Sequence, residues 1–129
     1  MIDKCEVKQV NNVLPTSVLF EYTKGNKDEV YTAMDVIYSV HKCLGVSEYY
    51  IKGDSREPYI KEARFIATYL IYNYVKKIGN KKTTSISLGD YMNRCYSAIL
   101  HQLKMVENWL ETDKEFRKKM YRVILQKKQ

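Results

Sequence analysis

Glycine and proline are scarce in this sequence, with five Gly and two Pro among 129 residues. These residues most often interrupt regular structure, and many-stranded β folds need many turns. Their scarcity favours long helices, so we expect an all-α fold. Hydrophobic residues make up 45% and charged residues 29% of the chain, which is typical of a globular protein and not of a disordered one. This length predicts one compact domain with its own core.

Cysteine is also scarce, and no Cys-x-x-Cys pair occurs. The three cysteines are Cys5, Cys43 and Cys95. An odd number at wide spacing predicts neither a disulfide framework nor a zinc site, and His41 beside Cys43 leaves a tetrahedral site incomplete. No His–Asp arrangement accompanies Cys95. We therefore expect reduced thiols, no metal, no cofactor, no catalytic residues and no enzymatic activity.

Long apolar runs are missing too. No segment approaches the roughly 20 apolar residues of a spanning helix, and residues 1–14 contain no run of signal-peptide length. We expect a soluble cytoplasmic protein without a membrane partner. No Gly-x-x-x-x-Gly-Lys-[Ser/Thr] sequence occurs either, so nucleotide-driven chemistry is not expected.

Positive charge is plentiful. The chain has 22 Lys and Arg against 15 Asp and Glu, a formal net charge of +7. Such a surplus predicts a polyanionic partner, most often nucleic acid, although charge alone also fits a role in solubility. Basic residues concentrate between Lys52 and Lys82, whereas acidic residues gather at 107–113. This asymmetry favours DNA binding.

Apolar spacing predicts a series of helices, preceded by an N-terminal arm or linker over residues 1–26; residues 27–129 form the expected domain. The first helix is expected from about Lys27 to Leu44, ended by Gly45. Its expected apolar stripe is Val30, Met34, Ile37, Val40 or His41, and Leu44. A short turn of helix capped by Ser47 and a polar loop over 52–58 should follow.

Pro58 is expected to begin a long helix that ends near Lys77. Its predicted core face is Ile60, Ala63, Ala67, Leu70, Ile71 and Tyr74, with Lys61 and Arg64 on flanking positions. Residues 80–84 read as a basic loop. The last helix is expected from Thr112 or Asp113, with an apolar face of Phe116, Met120, Val123 and Ile124.

Residues 85–111 predict two helices joined by a tight turn. Ser85 or Ser87 is expected to cap the first helix, and Asn93 is expected to adopt a positive φ in the turn. The second helix repeats apolar residues at helical spacing: Ile99, Leu103, Val106 and Leu110. Its first turn lies where a recognition helix presents side chains to DNA bases. This pattern predicts a helix-turn-helix.

Two blocks of the sequence resemble the C-terminal DNA-binding domain of the bacterial replication initiator DnaA. The first carries Val46-Ser47, Ile51-Lys52 and Ser55-Arg56, followed by Glu62-Ala63-Arg64-Phe65-Ile66-Ala67-Thr68-Tyr69-Leu70. The second reads Asn93-Arg94-Cys95-Tyr96-Ser97-Ala98-Ile99-Leu100-His101-Gln102, and the closing stretch is Leu110-Glu111-Thr112-Asp113-Lys114-Glu115-Phe116. The resemblance as a whole covers about residues 27–126.

The resemblance implies a compact helical bundle similar to the DnaA C-terminal and Trp-repressor-like fold, which binds double-stranded DNA at replication origins. It implies that Arg56 enters the minor groove and that Arg64 contacts phosphate. It places Arg94, Cys95, Tyr96, Ser97 and Ala98 at the major groove. Further basic residues expected at the DNA are Lys52, Lys61, Lys81, Lys82 and Lys104.

A second hypothesis stays open because two base-reading residues differ. The family has Asp and His where this chain has Cys95 and Tyr96. A thiol accepts or donates hydrogen bonds only weakly, whereas Asp accepts one from cytosine. The alternative is therefore a helical interaction module that has lost sequence-specific readout and binds a protein partner or forms a homodimer.

Overall fold

The computed structural model describes residues 32–128, so the predicted arm over residues 1–26 lies outside the described part. Most described residues are helical, which confirms the expected helical character of the chain. In chain order the elements are α1 (Ala33–Leu44), α2 (Glu48–Lys52), α3 (Pro58–Tyr74), β1 (Lys77–Ile78), β2 (Lys81–Lys82), α4 (Ser85–Met92), α5 (Tyr96–Thr112) and α6 (Lys114–Lys128).

Helix α1 begins later than the predicted Lys27, because Thr32 caps it. The Thr32 hydroxyl accepts a hydrogen bond from the Asp35 amide at 3.1 Å, and the Asp35 carboxylate accepts one from the Thr32 amide at 3.0 Å. This reciprocal capping box satisfies two amides that the helix itself leaves free. At the other end Gly45 has a φ of 74°, which confirms the predicted glycine stop.

The apolar stripe of α1 is shifted from the prediction. Met34 and His41 are exposed, whereas Val36, Ile37 and Val40 are buried. The buried side packs against α3 and α6. The prediction was wrong at Met34, because several i, i+3 and i+4 series fit this short helix equally well. Of the alternatives Val40 and His41, Val40 is the buried one, and the predicted stripe residue Val30 lies outside the described residues.

Helix α3 is the centre of the fold. It contacts α1, α2, α4 and α5, and every residue from Ala63 to Ile71 is buried. A helix surrounded by others buries all of its faces, so the predicted single core face was too narrow. Its last helical residue is Tyr74, three residues before the predicted end, because the chain turns into a strand at Lys77.

The contact between α3 and α5 contains one buried polar pair. The Thr68 hydroxyl donates to the Gln102 carboxamide oxygen at 2.7 Å, and both residues are buried. Ile99, Val106 and Leu110 of α5 are buried as predicted, and Leu103 is partly buried. A buried polar pair that satisfies itself in this way avoids the cost of desolvated polar atoms.

The junction of α5 and α6 is anchored by aromatic packing. The Trp109 ring stacks on Phe65 at a centroid distance of 5.4 Å and meets Phe116 edge-on at 5.2 Å. Asp113 separates the two helices, and its carboxylate accepts from the Phe116 amide at 3.1 Å. The predicted apolar face of α6 is confirmed, since Phe116, Met120, Val123 and Ile124 are buried.

Residues 77–82 form a β-hairpin where a basic loop was predicted. Lys77 faces Lys82 and Ile78 faces Lys81 in an antiparallel pair. Gly79, with a φ of 63°, and Asn80 make the turn. A glycine with positive φ in a two-residue turn matches the twist of paired strands. The half-buried Ile78 packs against the core and holds the hairpin in place.

Candidate nucleic-acid interface

Helices α4 and α5 are joined by the three-residue turn Asn93-Arg94-Cys95. Helix α4 is capped by Thr84, one residue before the predicted Ser85. The Thr84 hydroxyl accepts from the Ser87 amide at 3.1 Å, and the Ser87 hydroxyl accepts from the Thr84 amide at 2.8 Å. Ser87 therefore completes a capping box from within the helix, and neither serine is the cap residue itself.

The turn is fixed by two backbone requirements. Asn93 has a φ of 60°, as predicted, and ends α4 in the left-handed conformation that Asn tolerates better than most residues. The second requirement is the absence of a side chain at Gly89, since a Cβ there would lie only 2.5 Å from the Arg94 carbonyl oxygen. The Arg94 amide donates to the Gly89 carbonyl at 2.8 Å. Only glycine lets the turn fold back so closely on α4.

The first turn of α5 is displayed to solvent. Cys95 is the residue at the N-terminal cap position, Tyr96 is 58% exposed and Ser97 is exposed, whereas Ala98 is half-buried. Leu100, one turn beyond Tyr96, is 48% exposed. Of the five residues predicted at this surface, Cys95, Tyr96 and Ser97 are therefore exposed, whereas Arg94 and Ala98 are half-buried. Leu100 extends the exposed face.

Cys95 and Ser97 lie side by side at the start of α5. The Cys95 sulfur lies 3.2 Å from the Ser97 hydroxyl oxygen. Hydrogen bonds from the Ser97 side chain and then from the Ala98 backbone lower the pKa of the Cys95 thiol from its usual value. Amides at a helix N-terminus favour a thiolate in this position.

Arg94 reaches from the turn to the loop that follows α2. Its Nη2 donates to the Gly53 carbonyl, and its Nη1 lies 3.5 Å from the Lys52 carbonyl and 3.0 Å from that of Asn93. The guanidinium is half-buried. Arg94 thus ties the α4–α5 turn to the α2–α3 loop, and it uses most of its donors inside the protein.

Arg64 is buried beneath the same loop. Its Nε donates to the Ile51 carbonyl at 2.9 Å, and its Nη2 lies 3.0 Å from the carbonyls of both Gly53 and Ser55. Burial, followed by the charge of Arg94, lowers the pKa of Arg64. The expected phosphate contact does not fit this arrangement, because the side chain is 6% exposed and bonded to carbonyls. Arg64 instead holds the loop.

The loop carries Arg56, whose side chain is exposed. The residue before it, Ser55, is held at its carbonyl by Arg64, and the Ser55 hydroxyl accepts from the Glu57 amide at 3.3 Å. Within the described residues, no carboxylate forms an ion pair with Arg56. The backbone beside Arg56 is therefore positioned, while the guanidinium remains available.

The other predicted basic residues divide into engaged and available side chains. Lys52 is engaged, since its ammonium lies 2.8 Å from the Glu48 carboxylate and 3.7 Å from the centre of the Tyr91 ring. This pairing counts against the DNA contact expected for Lys52. Lys61 is exposed, with its ammonium 5.6 Å from the centre of the Phe65 ring. Lys81, Lys82 and Lys104 are exposed, and across residues 32–128 none of the three forms an ion pair.

An open depression of about 660 Å³ lies between α2, with the residues that follow it, and the α4–α5 turn. Its lining includes Lys52, Gly53, Asp54 and Asn93.

Across the described residues, His, Cys, Asp and Glu side chains form no group that could hold a metal ion. No helix between residues 32 and 128 is long and apolar enough to cross a membrane.

Sequence reasoning missed three residues that shape this surface. Gly53 accepts from both arginines, Gly89 permits the turn, and Lys77 belongs to the hairpin. A glycine inside the first of the two helices predicted over residues 85–111 was a signal for Gly89. Gly79-Asn80 between two lysine-containing stretches was the hairpin signal. Nothing in the pattern identified Gly53, because a carbonyl acceptor has no side-chain signature.

Comparisons with models of protein families, with curated proteins and with solved structures give no match to this chain.

Proposed function

We propose that this protein binds double-stranded DNA in the manner implied by its resemblance to the DnaA C-terminal domain. Helix α5 enters the major groove with Tyr96, Ser97 and Leu100 toward the bases, and Arg56 enters the adjacent minor groove. Phosphates are contacted by exposed lysines, among them Lys61 and Lys104. By the same resemblance, its biological setting is recognition of a replication origin or a related accessory role.

The observation that carries this proposal is the convergence of Arg64 and Arg94 on the Gly53 carbonyl. It joins the two parts of the chain that carry the resemblance, the loop of Arg56 and the helix-turn-helix. A protein that reads both grooves needs these parts held at a fixed separation, because the grooves of duplex DNA have a fixed spacing. Hydrogen bonds from two guanidiniums supply that rigidity.

The net charge of +7 supports the same proposal. Neutralising phosphates releases counterions, so affinity for a duplex should fall with salt by a log–log slope of about −0.9 per phosphate contacted. The loss of Asp and His at positions 95 and 96 leaves base readout to a thiol, a phenol and apolar atoms. We therefore expect a weaker sequence preference than that of a surface in which a carboxylate reads cytosine.

The test is selection of bound duplexes from a random pool, followed by fluorescence anisotropy on the recovered sequences. Arg56→Ala should weaken binding about tenfold, the loss of roughly 1.4 kcal/mol. Arg122→Ala is the matched control, since Arg122 is also an exposed arginine but lies on α6. Absence of duplex binding at low salt, down to the ~10⁻⁴–10⁻⁶ M of non-specific contacts, would refute the proposal.

A protein-interaction module is the second candidate, favoured by the exposed apolar side chains near the turn. Ile86 is 64% exposed, and Tyr96 and Leu100 are exposed close by in sequence. Tyr96 and Leu100 are neighbours on the surface of α5, and adjoining exposed apolar side chains often mark a protein contact. Sedimentation would distinguish the two: a dimer that Leu100→Asp dissociates, together with no duplex binding, would favour this candidate.

A further inference from the structure

The hairpin of β1 and β2 concentrates positive charge on a short, fixed piece of backbone. Lys76, Lys77, Lys81 and Lys82 are all exposed. Residues 75–89 contain no Asp or Glu, and within the described part of the chain none of the four lysines forms an ion pair. This cluster has no counter-charge of its own.

The register of the hairpin makes this arrangement unfavourable for the isolated protein. Lys77 and Lys82 are direct antiparallel partners, so their side chains leave the same face of the ribbon. Like charges placed directly opposite across a strand pair destabilise it. A polyanion lying over that face would turn the repulsion into attraction.

The hairpin is also anchored to the helix-turn-helix. The Thr83 amide donates to the Lys76 carbonyl at 3.0 Å and closes the ribbon. The Ser87 hydroxyl, which accepts from the Thr84 amide in the capping box of α4, donates to the Lys82 carbonyl at 2.9 Å. The same serine thus fixes both the start of α4 and the base of β2, so the lysines keep a constant position relative to α4.

The attachment of the hairpin to α4 indicates which polyanion these lysines would bind. In a helix-turn-helix on DNA the first helix crosses the sugar–phosphate backbone while the second lies in the groove. A basic ribbon attached at the N-terminus of that first helix extends along the same backbone. We propose that the hairpin is a phosphate-binding wing that contacts the duplex backbone flanking the groove occupied by α5. This inference rests on the proposed function and adds Lys76 and Lys77 to the contact surface.

The experiment compares salt dependences of duplex binding. The variant Lys77→Gln/Lys82→Gln removes the opposed pair, and Lys114→Gln/Arg122→Gln removes the same charge from exposed sites on α6. The wing predicts that the log–log slope becomes shallower by about 1.8 in the hairpin variant, about 0.9 for each phosphate that is no longer neutralised. The α6 control should keep the wild-type slope.

A second readout separates this role from a structural one. Removing the Lys77–Lys82 repulsion should leave the melting temperature unchanged or raise it, even as affinity falls. Lys77→Arg/Lys82→Arg keeps the charge and should keep the wild-type slope. Duplex binding with the same slope in the hairpin variant, or an equal change in the α6 control, would overturn the wing alone. Absence of binding by the wild-type protein would overturn the proposed function and the wing with it.

Discussion

Arg64 and Arg94 donate hydrogen bonds to the same acceptor, the carbonyl oxygen of Gly53. Two cations converge there although their charges repel, and the charge of Arg94 contributes to the lowered pKa of Arg64. The carbonyl groups at the C-terminal end of α2 offset this repulsion, because the C-terminal end of a helix is the negative pole of its dipole. The loop of Arg56 is therefore attached to the α4–α5 turn by hydrogen bonds to backbone carbonyls.

The first prediction concerns Arg64. Arg64→Lys should destabilise the fold by about 2–3 kcal/mol, because one ammonium cannot serve the carbonyls of Ile51, Gly53 and Ser55 together. Urea unfolding followed by circular dichroism measures the change. Arg56→Lys is the control on the same loop and should stay within about 0.5 kcal/mol of wild type, since Arg56 is exposed. Equal stabilities of the two variants would contradict the positioning role of Arg64.

The second prediction concerns Gly89. Gly89→Ala places a Cβ 2.5 Å from the Arg94 carbonyl oxygen, a backbone atom that cannot move without opening the turn. We expect a loss of about 2 kcal/mol or more in the free energy of unfolding, despite the higher helix propensity of Ala. Asp90→Ala, at the exposed neighbouring position, should be close to neutral. A Gly89→Ala protein as stable as wild type would show that the turn accommodates a methyl group.

Arg64 and Gly89 show which features of the structure could be predicted from the sequence and which could not. Helical character, the glycine stop at Gly45, the positive φ of Asn93 and the core face of α6 followed from spacing and residue type, because each is a local property. The bonding of Arg64 did not follow. Its guanidinium meets carbonyls nine to fourteen residues earlier in the chain, whereas apolar spacing placed Arg64 beside the core face of its helix and the resemblance implied a phosphate contact.

Boundaries were less predictable than element types, for physical reasons that differ from case to case. Thr32 and Thr84 are the caps because their hydroxyls find partners three residues on, whereas Ser47 occupies a cap position without making the side-chain bond. The end of α3 depended on the hairpin, whose strands are only two residues long. Strands so short carry almost no alternating pattern.

The third prediction is chemical. Hydrogen bonds lower the pKa of the Cys95 thiol, whereas burial raises the pKa of Cys43. Because the thiolate is the nucleophile, alkylation of Cys95 should rise at lower pH than that of an ordinary thiol, and alkylation of Cys43 at higher pH. Iodoacetamide labelling across a pH series that spans ordinary thiol pKa values, read by peptide mass spectrometry, measures both. Ser97→Ala should shift the Cys95 profile to higher pH, and matching profiles for the two cysteines would contradict the assignment.

The fourth prediction rests on the proposed function and concerns the bases that α5 would contact. Tyr96 and Leu100 are exposed one helical turn apart, and Arg94 is bonded to backbone carbonyls. Apolar side chains recognise the thymine methyl group, whereas guanine is usually read by Arg or Lys. We expect selected sites to contain thymines in the major-groove contact. Replacement of those thymines by deoxyuridine should weaken binding by about 1 kcal/mol for each methyl group that α5 buries.

The matching protein variant is Leu100→Ala, which should bind more weakly and lose most of its discrimination between thymine and deoxyuridine. Tyr38→Ala is the control, because Tyr38 is 60% exposed but lies on α1. Anisotropy titrations of both proteins against both duplexes give a double-mutant cycle. Additive effects of Leu100→Ala and methyl removal would show that Leu100 does not touch the methyl groups.

The hydrogen bond between Thr68 and Gln102 has a consequence for the position of α5 along the axis of α3. Apolar ridges on two helices fit together nearly as well after a slip of one turn, about 5.4 Å along the axis. A polar pair buried in that contact does not, because a slipped helix would leave a hydroxyl and a carboxamide without partners. The buried Thr68–Gln102 pair therefore holds α5 in one axial register against α3. The same pair thus fixes the axial position of the exposed first turn of α5, with Tyr96 and Ser97, relative to α3.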